Sequence, residues 1–122
     1  MTGDERSCFE RLLVWEQRLE RLLSLYDRGR LFPSMPEQHV ERAREAYRNL
    51  RLELGREERR LRAGQRTAAE NRWYVRIVHD AYTALTAAAR QSPDKWYPAL
   101  AGAESEVGMA LSEMRFYFGL AD

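Results

Sequence analysis

The chain has 122 residues, 44% of them hydrophobic, and 20 basic against 19 acidic side chains give it a net charge of +1. That length and apolar content suffice for one domain over residues 1–122 whose core needs neither disulfide nor metal. The single cysteine, Cys8, excludes an intramolecular disulfide. The first eight residues are polar and unlike a signal peptide, and the longest uncharged run in the middle of the chain, Ala81 to Ala89, is too short to span a bilayer. A soluble, cytoplasmic protein is expected.

Helix starts are marked four times. Ser or Thr followed three residues later by Glu is the capping box, in which each side chain satisfies an orphan N–H of the first turn; it occurs at Thr2–Glu5, Ser34–Glu37 and Thr67–Glu70. Ser92 followed by Pro93 is the fourth, because proline's missing donor costs nothing at a first helical position. Gly29, Gly64 and Gly119 each follow a periodic segment and are predicted to close helices in the left-handed conformation.

Between these marks apolar residues recur at steps of three and four, the period of a buried helical stripe. The first helix offers Cys8, Leu12, Trp15, Leu19, Leu22 and Tyr26, and the second offers Val40, Ala43, Tyr47, Leu50, Leu54 and then only Leu61. The third offers Tyr74, Val78, Ala81, Leu85 and Ala88, and the fourth offers Leu100, Val107, Leu111, Met114 and Phe118. Short connections leave antiparallel neighbours, so the predicted fold is an all-α, up-down four-helix bundle with helices at about 3–28, 35–63, 68–91 and 93–118. Pro98 would remove a hydrogen bond inside the last of these, which makes Pro93 to Tyr97 a separate turn in the alternative. The second helix after Leu54 carries little apolar surface and is expected to project or fray, and Leu31, Phe32 and Met35 are expected to cap one end of the bundle.

Most active-site chemistries find no support in these residues. The Glu-x-x-His pairs of carboxylate-bridged di-iron bundles are missing, since Arg76 and Pro36 stand three residues before His79 and His39. No Cys-x-x-Cys or His-x-x-x-His pair suggests zinc, and no glycine-rich loop follows a strand. Cys8 falls on the buried stripe, where it reads as a core thiol and not a nucleophile. No cofactor, metal or catalytic residue is expected.

One string has an enzymatic counterpart. Arg72-Trp-Tyr-Val-Arg-Ile-Val-His79 resembles the Arg-x(4 to 6)-His motif of HEPN ribonucleases, themselves helical bundles. The resemblance implies RNA cleavage at a dimer interface where Arg72 and His79 of two protomers would meet. Trp73 replaces that family's usual polar residue after the arginine. Read from the helical wheel alone, His79 lies at the margin of the core stripe as a boundary residue.

The basic charge is concentrated in the middle of the chain. Residues 42–76 carry eleven arginines against five acids, and nineteen of the twenty basic residues are arginine. A GC-rich genome yields the same bias, but the placement of these residues is specific. At 100° per residue Arg44, Arg48, Arg51, Arg59, Arg62 and Arg66 fall within about 80° of one another, about a quarter-turn from the core stripe. On a continuous helix they would span about 33 Å, comparable to one turn of a nucleic-acid duplex. The fourth helix carries a second pattern: Ala101, Ser105, Gly108, Met109, Ser112 and Phe116 form an uncharged strip opposite its core, suited to a partner interface.

The functional expectation is therefore a non-enzymatic helical subunit. It would touch a nucleic-acid backbone through the arginine stripe and form a homo-oligomer or hetero-complex through the fourth helix, with no membrane contact. By fold analogy alone this looks like the small helical subunits that line the nucleic-acid groove of CRISPR effector complexes. A protein–protein adaptor or chaperone-like bundle whose arginines meet an acidic protein is the alternative, and an HEPN-type ribonuclease is the third.

Overall fold

The computed structural model describes residues 1–31 and 34–120. They form five α-helices: α1 Gly3–Leu23, α2 Glu37–Ala63, α3 Ala68–Trp73, α4 Val75–Ala88 and α5 Tyr97–Phe118, with a short 3-10 turn at Pro93–Lys95 before α5. The fold is all-α, and α3 with α4 fills the place of one long helix in a four-helix bundle. α1 packs on α5, α5 on α4 and α4 on α2, while α1 and α2 close the ring with a thinner contact. No helix among the described residues is long and apolar enough to cross a membrane.

The predicted stripes line the core. Cys8, Leu12, Leu19, Leu22, Ala43, Tyr47, Leu50, Leu54, Tyr74, Val78, Ala81, Leu85, Leu100, Val107, Leu111 and Met114 are all buried. Each large apolar side chain in this set contributes about 1.5–3 kcal/mol by leaving water. Two boxes cap as expected, Thr2 with Glu5 and Thr67 with Glu70, and Gly119 closes α5 in the left-handed conformation at φ 65°. Pro98 lies in the first turn of α5, and Pro93 opens the separate 3-10 turn.

Other boundaries depart from the sequence expectation. α1 ends at Leu23, and Gly29, at φ 81°, turns the connection that follows instead of capping the helix. Ser34 does not cap α2, whose first residue Glu37 follows Pro36 with no side-chain cap. Gly64 ends α2 in an extended conformation. Of the three residues expected to cap one end, Leu31 is buried and Met35 is half-buried; Phe32 lies outside the described residues.

That end of the bundle is closed by side chains from the two connections. Tyr47 stacks on Trp96 with ring centroids 3.9 Å apart, and its hydroxyl donates to the Leu85 carbonyl at 2.6 Å. Tyr26 donates to the Pro93 carbonyl at 3.0 Å, and His39 Nε2 meets the Leu25 carbonyl at 2.6 Å.

The far end corrects a prediction. The second half of α2 neither projects nor frays: it stays helical to Ala63, Leu61 is 2% exposed, and Glu58 is buried. Polar side chains supply the packing that apolar ones lack. Glu70 on α3 is 4% exposed and accepts from Arg60 at 2.8 Å and from Arg11 at 3.3 Å, which joins α1, α2 and α3. Tyr74 donates to Glu57 at 2.8 Å and accepts from Trp15 Nε1 at 2.8 Å, while the Arg11 guanidinium lies 4.5 Å over its ring. This placement of Tyr74 accompanies the break between α3 and α4: at φ −124° and ψ −49° the residue leaves helical geometry, and α3 turns toward α1 while α4 continues between α2 and α5.

Candidate nucleic-acid interface

The arginine stripe lies along the seam between α2 and α4 and is not continuous. Gly55, at the middle of α2, is buried under Tyr82 of α4; a Cβ at residue 55 would lie 2.9 Å from Tyr82 Cε1, so only glycine leaves room for the ring as it stands. The half-exposed Tyr82 thereby separates Arg44, Arg48 and Arg51 from Arg59 and Arg62. Arg66 is not on the helix at all, since it sits in the connection after Gly64. From Arg44 to Arg62 the helical part spans about 27 Å at 1.5 Å per residue, shorter than the predicted stripe.

Two acids near this face are already engaged. Glu41 pairs with Arg44 at 2.8 Å. Glu58, with a side chain 10% exposed, accepts from Arg62 at 2.9 Å and from His79 Nδ1 at 2.5 Å. Among the described residues Arg48, Arg51, Arg59 and Arg66 make no ion pair. Arg48, Arg59 and Arg66 are exposed and Arg51 is half-buried. The face thus combines uncompensated guanidinium groups with one accessible aromatic ring. The glycine inside an otherwise strong helical pattern was the signal in the sequence for the close approach of Tyr82.

Arg72 and His79 engage different neighbours. The Arg72 guanidinium lies 4.7 Å over the Trp73 ring and 4.4 Å over the Tyr117 ring at the end of α5, whereas His79 is held by Glu58 of α2. A side chain 51% exposed places His79 at the surface edge of the α2–α4 seam.

The α5 strip faces solvent. Phe116 is 92% exposed and Met109 66%; Ser105 and Ser112 are exposed as well, and Ala101 and Gly108 are half-buried. An open groove of about 300 Å3 runs beside it toward α4, lined by Arg72, Arg76, Asp80, Glu106, Met109 and Glu113. On the α1 side the carboxylates of Glu16, Glu20 and Glu104 lie within 4.8 Å of one another. Burial raises the Glu16 pKa, and the neighbouring Glu20 adds to the effect.

Comparison with models of protein families, with curated proteins and with solved structures finds no match to this chain.

Proposed function

We propose that this chain is a non-enzymatic, cytoplasmic helical subunit that binds the phosphate backbone of a nucleic acid on its α2–α4 face and joins a larger assembly through α5. The observation that carries the reading is charge compensation: Glu41 and Glu58 are taken up by Arg44, Arg62 and His79, and among the described residues Arg48, Arg51, Arg59 and Arg66 make no ion pair. Guanidinium groups so placed suit phosphate oxygens, and Tyr82 offers a surface on which a base can stack. Backbone contacts position a nucleic acid without reading its sequence, so affinity should be largely indifferent to base composition.

A salt titration of binding tests this. Four neutralised phosphates imply a log–log slope of about −3 for single strands and about −4 for duplex, and replacing Arg48, Arg51 and Arg59 together with Gln should remove roughly two units or more. An unchanged slope would sink the nucleic-acid assignment. The adaptor reading, in which an acidic protein takes the same arginines, keeps support from the exposed Phe116 and Met109. It would take over if neither RNA nor DNA binds at micromolar concentration.

A further inference from the structure

Large exposed apolar side chains and uncharged small ones alternate along α5 in a way that fits one occupant. Phe116 and Met109 stand out, 92% and 66% exposed, while Ala101, Ser105, Gly108 and Ser112 leave low ground between and before them. The steps of four and three between these positions are those of a helix pair wound around each other. We propose that the partner on this face is a second copy of the chain, with the two α5 helices antiparallel across a two-fold axis near Gly108 and Met109. That register lays Phe116 of one copy over Ala101 of the other, Met109 over Gly108 and Ser112 over Ser105, so each large side chain meets a small one. Resting on the exposed strip that the assembly role invokes, it names the partner as the chain itself.

The charges along the strip select the same orientation. Beside the first half of α5 lie Glu20 and Glu104 toward α1, with Glu16 at mid-helix against Gly108, and Glu106 toward α4 near the Arg76–Asp80 ion pair. Among the described residues Glu16, Glu20, Glu104 and Glu106 make no ion pair. Beside the second half lie Arg115, whose guanidinium is 5.5 Å over the Phe9 ring, and Arg72 over Tyr117, with Glu113 between them. A two-fold axis perpendicular to α5 keeps each flank on its own side and exchanges the two ends. It therefore brings Arg115 to Glu20 and Glu104 of the partner subunit, and Arg72, beside Glu113, to the partner's Glu106. A parallel pair would set acid against acid on both flanks. Because α5 packs on α1 and α4, away from α2, the dimer carries two arginine faces, and a polymer long enough to engage both gains apparent affinity without any new contact.

The test uses the full chain without nucleic acid, so that its outcome is separate from that of the salt titration. Sedimentation equilibrium should give twice the monomer mass, and Phe116→Glu with Met109→Glu should return the monomer with unchanged helicity. Disulfide trapping then reads the orientation, since the native Cys8 is buried and will not interfere. Ser105→Cys mixed with Ser112→Cys should cross-link between the two variants, and neither should cross-link with itself. A monomeric mass at every accessible concentration would overturn the proposal, as would self-cross-linking of Ser105→Cys, which marks a parallel pair.

Discussion

Glu58 of α2 and His79 of α4 are joined across the bundle surface, with Oε1 2.5 Å from Nδ1, and the same oxygen accepts from Arg62. One carboxylate thus holds a helix–helix contact and withholds an arginine from the basic face. Replacing Glu58 with Gln is expected to weaken both bonds and cost about 1–3 kcal/mol, the usual range when a buried charged acceptor is lost. It should also tighten nucleic-acid binding, because Arg62 becomes available to a further phosphate and the salt slope steepens by somewhat under one unit. Denaturant unfolding and a salt titration on the same variant check the two effects. Weaker binding at an unchanged slope would mean that the face does not act through its charge.

Glu70 supplies the pH dependence. Burial works to raise its pKa, but hydrogen bonds from Arg60 and from the Thr67 backbone, together with the Arg60 charge, outweigh that and bring it to about 2 from 4.5. A carboxylate whose folded pKa is depressed stabilises the fold fully above its unfolded pKa, and loses that contribution as pH falls toward the folded value. The contribution is at most about 3 kcal/mol at neutral pH. Glu70→Gln should therefore lower Tm at neutral pH, and the gap to wild type should close between pH 4.5 and about 2. Parallel pH profiles for the two proteins would refute the assignment.

Cys8 is fully buried, and burial raises its thiol pKa. Thiolate is the reactive form, so a thiol reagent should leave the native protein unmodified and label it one-to-one in denaturant. Fast labelling of the folded chain would show that α1 opens from α5 far more readily than its packing implies.

Nuclease activity offers a direct check on the HEPN-like string. With Arg72 stacked on two aromatic rings and His79 held by Glu58, incubation of the purified protein with RNA should leave the RNA intact. Cleavage that disappears in both Arg72→Ala and His79→Ala would replace the binding role with a catalytic one.

What the sequence showed and what it hid divide along physical lines. Periodicity located the cores of all four bundle positions, because apolar burial repeats with the helix itself; Leu12, Leu50, Leu85 and Leu111 lie where the stripes put them. The break at Tyr74 left no mark, since no proline or glycine causes it and the hydrogen bonds from Tyr74 N to Glu70 O and from Val78 N to Tyr74 O persist on either side, each at 3.0 Å. The second half of α2 read as loose because its partners are polar: Glu57, Arg60 and Glu70 look like solvated surface until α1 and α3 are folded against them. The arginine stripe was legible as a direction on a wheel, and the predicted helix end at residue 63 already left Arg66 beyond it, but the interruption by Tyr82 depends on a neighbouring helix.

The polar network at the far end also bears on the order in which the molecule assembles. The Arg11–Glu70 and Trp15–Tyr74 bonds each close a loop of 59 residues, whereas Glu58–His79 closes one of 21. Longer loops cost more entropy to close and are met later along a folding route. The α2–α4 hairpin, and with it the arginine face, can therefore form before α1 docks. Arg11 and Trp15 then act as a latch that fastens once α1 reaches α2 and α3.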